Sequence, residues 1–169
     1  FAVGSALTVG SGTDTANGIV TASSVGGTAG TATAFTADNL IDLVYSLDGA
    51  ARLLPGCGFM MNGKSVGQVR KLKDTAGNYV FQPSLSADAR DMLLGKPIYE
   101  NPSMVDVATG TKSVIFGHLP SYFVRTVGGL RLDRSDDYAF NAGLVTFRAT
   151  FRVDGDLPQT SHIKHLLQP

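Results

Sequence analysis

Residues 144–154 read LVTFRATFRVD, and this stretch carries the clearest periodic signal in the chain. Every second position from Val145 to Val153 is apolar, and every second position from Thr146 to Asp154 is polar. Strict alternation over this length predicts a long β-strand, because successive side chains of a strand point to opposite faces. We therefore expect one face of the strand to lie on a core and the other to face solvent or a partner.

A long amphipathic helix is predicted far upstream of this strand, from Thr36 to Leu54. The Thr36 side chain can cap the free N–H groups of the first turn, and Asp38 lies favourably near the positive end of the helix dipole. Apolar residues recur at intervals of three or four and form one stripe for burial: Leu40, Val44, Leu47, Ala51 and Leu54. Pro55-Gly56 then ends the helix.

Shorter elements of both kinds fill the rest of the chain. Two further helices are predicted, at 62–72 with Asn62 as cap and at 87–94 with Ser86 as cap, and the stretch KDTAGNYVF predicts a hairpin at 73–81. Strands are expected at 59–61, 96–97, 114–116 and 122–127, the last two of them buried. Residues 1–35 are rich in glycine, alanine, threonine and serine, which favours irregular chain or a mobile loop. Because helices and strands mix without regular βαβ alternation, the predicted fold class is α+β.

The composition excludes several classes of protein. The 169 residues suit one domain, and 14 lysines and arginines balance 14 aspartates and glutamates. A dedicated nucleic-acid binder usually carries a basic excess, and a membrane-spanning helix needs an apolar run of about 18 residues, which is not present. Cys57 is the only cysteine, so it is most simply a small buried apolar residue. The chain begins at Phe1, and we therefore expect a piece of something longer.

Residues 58–67, GFMMNGKSVG, fit both the P-loop pattern and the G-x-S-x-G pattern of serine hydrolases. A P-loop requires a buried strand that runs into a glycine-rich turn, but here a helix end precedes the motif and bulky apolar residues fill it. A hydrolase requires a base and an orienting acid near Ser65, and the sequence shows no such partners. We therefore favour a structural role, in which Asn62 and Ser65 satisfy N–H groups at a helix start.

The remaining polar candidates have simpler interpretations than catalysis. His162 and His165 could share a helix face, but without an acid or cysteine nearby they are more simply solvated tail histidines. Asp136-Asp137 are adjacent and point apart, which favours solvated turn acids. Arg148 and Arg152 share one strand face, where pairing with carboxylates of a neighbouring strand or subunit is favoured over a phosphate contact. We predict no catalytic, cofactor-binding or metal-binding residues.

Several short fragments occur in a fixed order along the chain: LTVGSGTDTANGIV, TADNLIDLVYSL, GFMMN, VRKLKDTAGNYVF, LLGKPIYENPSM, SVIFGHLPSYFV and FRATFRVDGDLP. In this order they resemble the Hong Kong 97-type major capsid proteins of tailed phages, over most of residues 5–168. The resemblance implies that GFMMNGKSVG is the strand and helix start between the first helix and the hairpin. Both catalytic patterns are then coincidences.

The family resemblance implies a central (axial) domain, with a mixed sheet flanked by helices, at 20–125. The strands and tail of a peripheral domain would occupy 126–169, and 1–19 would be a peripheral remnant and glycine-rich lead-in. Members carry an N-terminal arm, a long spine helix and an extended loop upstream, so we expect this chain to be the C-terminal half of a subunit. Some members form an isopeptide crosslink at an asparagine, where Asn141 stands here. Arg148 occupies the position of the assisting acid, so we expect no crosslink.

The function implied by the resemblance is structural. We expect a subunit of an icosahedral phage or prophage shell that self-assembles into pentamers and hexamers around the genome. Its partners would be identical subunits, with a scaffold or maturation protease, and it would bind neither specific nucleic-acid sequences nor membranes. It would lie in the virion, and in the bacterial host cytoplasm before assembly. The alternatives are an encapsulin-like nanocompartment shell and, in the enzyme class, a serine hydrolase or NTPase using 58–67.

Overall fold

The computed structural model describes residues 2–73, 76–79, 81 and 91–169. Its helices are α1 (Ala2–Val9), α2 (Ile19–Ala22), α3 (Ala37–Tyr45), α4 (Gly49–Arg52) and α5 (Gly63–Arg70). Its strands are β1 (Ser24–Thr28), β2 (Cys57–Met61), β3 (Met92–Leu93), β4 (Lys96–Glu100), β5 (Lys112–His118), β6 (Phe123–Ser135), β7 (Thr146–Asp156) and β8 (Ile163–Leu167). Short 3-10 turns lie at Leu119–Ser121, Phe140–Ala142 and Thr160–His162.

Six of the strands form one mixed sheet in the order β1-β8-β5-β2-β4-β3, and β6 and β7 form a separate two-stranded ribbon. Within the large sheet, β1 pairs with β8 and β2 with β4 in parallel, whereas the other neighbours are antiparallel. β8, the last strand in chain order, therefore lies inside the large sheet, between β1 and β5. Helices and strands mix without regular alternation, as the α+β prediction requires.

Apolar side chains pack on both faces of the large sheet. In β5, Val114 and Phe116 belong to the cluster that α3 and α5 cover, while Ile115 belongs to a second cluster with Ile19 and Ile163. All three β5 residues are fully buried. Because neighbouring strand residues point to opposite faces, a continuous apolar run is what a strand covered on both sides needs.

The first predicted helix is confirmed at its start and corrected at its end. The Thr36 hydroxyl accepts a hydrogen bond from Asn39 N, and the Asn39 side chain accepts one from Thr36 N, which makes a reciprocal cap. The helix ends at Tyr45, and the Ser46 hydroxyl donates to Leu43 O. A separate turn, α4, starts at Gly49. Serine and glycine near this break compete with or weaken helical backbone, so one helix becomes two.

The prediction of irregular chain for residues 1–35 is wrong, because α1, α2 and β1 lie there. Ile19 and Val20 are buried against the far face of the sheet, and β1 pairs with β8, which lies more than 130 residues away in the sequence. Gly10 and Gly18 allow close backbone approach, with Gly18 N donating to Gly10 O at 3.0 Å. These contacts are long-range, so local composition does not reveal them.

The shorter elements follow the prediction in part. Strands at 59–61, 96–97 and 114–116 are confirmed within β2, β4 and β5, and an antiparallel bridge joins Lys73 to Tyr79 at the predicted hairpin. In the predicted helix at 87–94, residues 87–90 lie outside the described residues, as does its cap Ser86. Its last part is wrong, because Met92–Leu93 is a strand paired with β4.

Candidate assembly surface

The motif at 58–67 forms the end of a strand and the beginning of a helix. Gly58 lies inside β2, and Asn62 caps α5 by accepting a hydrogen bond from Lys64 N at 3.0 Å. The Lys64 ammonium pairs with Asp106, and the Ser65 side chain is fully buried. The predicted capping role of Asn62 is therefore confirmed, whereas the role predicted for Ser65 is wrong, because its hydroxyl bonds no N–H group of the described residues.

A carboxylate already lies at the start of α5. The carboxyl group of Glu100 lies against Gly63, with its carbon 3.2 Å from where a side-chain carbon at 63 would stand. A carboxylate at a helix start already satisfies the preference of that position for negative charge. Ser65 is likewise shut off from substrate, since it is buried, and its hydroxyl has no hydrogen-bond partner among the described residues. The start of α5 therefore has neither the geometry of a P-loop nor that of a serine hydrolase nucleophile.

The histidines occupy structured positions, so the prediction of solvated tail histidines is wrong. The Ser121 hydroxyl lies between two ring nitrogens, 2.7 Å from Nδ1 of His118 and 3.0 Å from Nδ1 of His162. His165 lies in β8 and is 2% exposed, with its Nδ1 2.9 Å from the Ser23 hydroxyl. Within the described part of the chain, no three histidine, cysteine or acidic side chains are grouped to hold a metal ion.

Acid is expected to destabilise the fold through His165. Burial, followed by the charge of Lys112, lowers the pKa of His165 from 6.5 to about 4, against a smaller opposing effect of the Ser23 hydrogen bond. The unfolded chain therefore binds a proton between pH 6.5 and 4 that the folded chain does not. Above pH 6.5, His165 is neutral in both states and does not lower the free energy of unfolding. As the pH drops from 6.5 to 4, the free energy of unfolding falls by up to about 3 kcal/mol.

Urea unfolding of wild type and His165→Asn at pH 7.5 and pH 4.5 measures this effect. The variant lacks the titrating ring, so its free energy of unfolding should fall less between the two pH values than that of wild type. Parallel losses in the two proteins would assign the acid sensitivity to other groups.

The β6–β7 ribbon is joined to the rest of the chain mainly at its base. There the Asn17 side chain donates to the Asp156 carboxylate at 2.9 Å, and the Tyr122 hydroxyl donates to Asn17 O at 2.8 Å. Beyond the base, the two strands pair with each other from Val127 opposite Arg152 to Ser135 opposite Thr146, apart from a bulge. The strand predicted at 144–154 is thus confirmed as β7.

The apolar face of the ribbon is not covered by the described part of the chain. Phe147 is 62% exposed, Phe151 is 46% exposed and Leu132, on the facing strand, is 65% exposed. The expectation that this face lies on a core, and that residues 122–127 form a buried strand, is therefore wrong within this chain. Alternation reveals that a strand has an apolar face, but it does not say which molecule covers that face.

Exposed apolar residues are concentrated in the ribbon and its tip. Eleven of the large apolar side chains that are exposed lie between positions 123 and 151: Phe123, Val124, Val127, Leu130, Leu132, Tyr138, Phe140, Leu144, Val145, Phe147 and Phe151. Monomeric soluble proteins rarely expose a contiguous apolar patch of more than a few hundred Å². The ribbon and its tip carry more than half of the exposed large apolar side chains of the described residues.

The opposite face of the ribbon carries ion pairs. The Asp133 carboxylate accepts hydrogen bonds from Arg131 at 2.9 Å and from Arg148 at 3.1 Å, and these bonds lower its pKa. The predicted pairing of Arg148 with a carboxylate of a neighbouring strand is therefore confirmed. At the hairpin tip, Asp136 pairs with Arg134 at 2.8 Å, and Asp136 and Asp137 are both exposed, so the prediction of solvated turn acids is confirmed. Asn141 lies in the exposed 3-10 turn of the tip.

Comparison with known proteins accounts for this combination of a mixed sheet and an exposed ribbon. The sequence pattern of the phage capsid family matches residues 1–167. The chain belongs to the phage capsid family. The predicted family is thereby confirmed. No curated protein matches the sequence.

Solved structures place the chain in the same fold. The capsid of an empty GTA particle, computed with C5 symmetry, is 31% identical with a TM-score of 0.85, and the match covers 99% of this chain and 61% of that one. The capsid of the native GTA particle is 30% identical with the same TM-score, covering 99% and 60%. A chain of Gordonia phage Cozz, at 14% identity and a TM-score of 0.67, covers 99% and 58% and shows the fold alone.

These likenesses confirm the predicted fold class, an α+β capsid fold with helices flanking a mixed sheet. The capsid-family chain spans about three fifths of the length of the solved chains that it matches. None of its described helices has the length and apolar character to cross a membrane.

Proposed function

We propose that this chain is part of the structural subunit of a phage or prophage capsid shell, built by self-assembly of identical copies. The observation that supports this proposal is the ribbon, which presents exposed apolar side chains on one face and ion pairs on the other. A ribbon of this kind is stable only marginally in water, because two strands alone bury little apolar surface. Covering its apolar face in an assembly removes that cost.

The six-stranded sheet and the ribbon have different roles in the proposed shell. The six-stranded sheet has its own core on both faces and forms a rigid body, whereas the ribbon extends away from it as an edge for contact. Contacts in closed rings are heterologous, so one edge of a subunit must complement a different edge of the next. Interfaces of this permanent kind bury more than about 2,000 Å² and are largely apolar, which suits the exposed phenylalanines.

The finer parts of the proposal follow from the family. The subunits form pentamers and hexamers that enclose a genome, and a scaffold or maturation protease takes part in assembly. The protein lies in the virion, and in the host cytoplasm before assembly. The axial domain comprises residues 20–125, to whose sheet β8 (Ile163–Leu167) also belongs, and the peripheral domain takes the β6–β7 ribbon. The zero net charge of the sequence suits a container that does not hold DNA tightly.

The proposed role is structural, without an enzymatic step. The Glu100 carboxylate lies against Gly63 at the start of α5, and Ser65 is buried. Asn141 and Arg148 carry no crosslinking role in this proposal, since an arginine paired with Asp133 does not serve as a base.

The apolar face of the ribbon is the part to change in a test. In the full-length protein, replacing both Phe147 and Phe151 with aspartate places two charges on the face that an interface would bury. We expect the wild type to form icosahedral shells or capsomer rings in negative-stain images. We expect the double variant to require at least about tenfold more protein to assemble, because buried unpaired charges are costly.

Leu53→Asp serves as the matched control, since Leu53 is 84% exposed and lies in the sheet-bearing part of the chain. Circular dichroism and thermal melting establish that each variant is folded, and analytical ultracentrifugation measures assembly. If the wild type remains monomeric at high concentration, the proposed function is wrong. If the ribbon variant assembles as readily as Leu53→Asp, the ribbon is not the contact surface.

A further inference from the structure

A concavity lies on the polar face of the ribbon, where β6 bulges between Val127 and Arg131. Its floor is the flexible Gly128-Gly129 pair, both with positive φ. Its walls combine one apolar side chain with three guanidinium groups and a single carboxylate: Val127, Arg131, Arg148, Arg152 and Asp133. The bulge therefore creates a depression that is locally positive.

The positive charge of the concavity is only partly neutralised within the chain. Asp133 bonds Arg131 through one carboxylate oxygen and Arg148 through the other, so both oxygens are engaged. Arg152 has no carboxylate partner among the described residues. Because the whole chain has no net charge, this local excess must be matched by acidic groups elsewhere on the protein. A free guanidinium beside a concavity is suited to a carboxylate that arrives from outside.

The hairpin tip that joins β6 to β7 has the complementary chemistry. Asp137 is exposed and, unlike Asp136, is in no ion pair within the described residues. The two aromatic residues beside it are among the most exposed in the chain, with Tyr138 at 85% and Phe140 at 82%. Aromatic rings stack on guanidinium groups, and aromatic residues with arginine are enriched at interfaces. An acid flanked by two exposed aromatics therefore fits an arginine-lined depression.

Asp137 cannot reach Arg152 of its own ribbon, since Arg152 lies beside the bulge, at the end of the concavity far from the tip. Residues 131–135 pair continuously with 146–150 between the bulge and the tip. Six residues of strand separate Gly129 from Ser135, which corresponds to about 20 Å. The ladder holds the tip at this distance, so a contact between Asp137 and Arg152 joins two copies of the protein.

Nucleic acid fits this face less well than a single carboxylate. A phosphate backbone calls for cations repeated along its path. On this ribbon, Asp133, Asp154 and Asp156 lie on the same face as the arginines and interrupt any such path. Arg125 and Arg152 both lie on this face without an ion pair among the described residues. Only Arg152 borders the concavity, where it matches one acidic side chain.

We propose that the hairpin tip of one copy, residues 136–144, docks in the arginine concavity of another copy, with Asp137 pairing with Arg152. Tyr138 and Phe140 pack against the bulge at Val127 and its glycines. The contact joins two different surfaces, so it is heterologous and can repeat from copy to copy, as in a ring. The inference rests on the proposed self-assembly and names one contact within it.

A charge swap in the full-length protein tests the proposal. Arg152→Asp and Asp137→Arg each place like charges together, and each is expected to raise the protein concentration for half-maximal assembly by about tenfold or more. The double variant restores an opposite pair and is expected to assemble within about threefold of wild type. Lys71→Asp and Asp48→Arg, exposed charges of α5 and the α4 start, are the matched controls and should assemble like wild type.

Three results would overturn the contact. The single variants could assemble like the controls, or the double variant could be at least as defective as the worse single variant. Arg152→Asp could also assemble normally while its particles retain less nucleic acid, which would assign the face to phosphate. A wild type that does not assemble overturns the proposed function, and this contact with it. A failed swap in a protein that does assemble overturns the contact alone.

Discussion

Replacing Gly117 with alanine is expected to prevent the chain from folding to its native state. Gly117 lies in β5 opposite Ile163 of β8, at φ 156°. An added side-chain carbon would overlap the His162 carbonyl oxygen and stand 2.7 Å from the Ile163 Cα atom. These are backbone atoms of the adjacent strand, so they cannot turn aside as a flexible side chain would. Relief would require β8 to separate from the middle of the sheet.

The size of this effect follows from what the β5–β8 pairing holds in place. Both strands contribute to the two apolar clusters, and β8 also carries β1. A loss of more than about 4 kcal/mol is expected from such a clash, against a total stability of about 5–15 kcal/mol for a domain. Soluble yield, circular dichroism and thermal melting of the purified variant measure it.

Gly67→Ala is the matched control. Gly67 lies inside α5, and an added carbon there would have no atom within 4 Å. Glycine in a helix interior costs about 0.5–1 kcal/mol relative to alanine, so this variant should melt at the same or a higher temperature than wild type. If Gly117→Ala melted at the same temperature as Gly67→Ala, the β5–β8 pairing would not be as close as described.

The sequence predicted correctly the structural features that depend on residues close together in the chain. The caps at Thr36 and Asn62 act within three residues, and the buried run at 114–116 reflects a strand covered on both faces. The β1 strand was missed for the opposite reason. It is built from small residues, SVGGT, and becomes a strand because β8 lies beside it.

In the candidate site too, the sequence predicts the features set by neighbouring residues and misses those set by elements distant in the sequence. Sequence reasoning identified Arg148 and Arg152 as one strand face, because strand periodicity fixes which residues share a side. It did not separate their roles, since Asp133, on the other strand, pairs with Arg148 only in the folded register. It also missed the burial of His165, which is enclosed by β1 and β5, elements distant in sequence. The segment IKHLL does not alternate between apolar and polar residues, so it offered no local signal to distinguish a strand from a tail.

Truncation of Phe59 to alanine is expected to remove a large fraction of the stability of the sheet. Phe59 in β2 and Phe116 in β5 are register partners, are both fully buried, and have ring centroids 4.7 Å apart. Deleting a buried phenylalanine ring costs about 3–5 kcal/mol, through lost apolar transfer and the cavity that remains. Urea unfolding followed by circular dichroism should show this loss as a shift of the midpoint.

Phe123→Ala is the control for this change, since Phe123 is 65% exposed at the start of β6 and should cost less than about 1 kcal/mol. A double-mutant cycle with Phe116→Ala then isolates the contact between the two rings, which is expected to contribute about 0.5–1.5 kcal/mol beyond burial. Equal losses at 59 and 123 would mean that the sheet is not the stable centre of the chain. Stability would then depend on contacts made by the ribbon, and the fold and its assembly could not be separated as two steps.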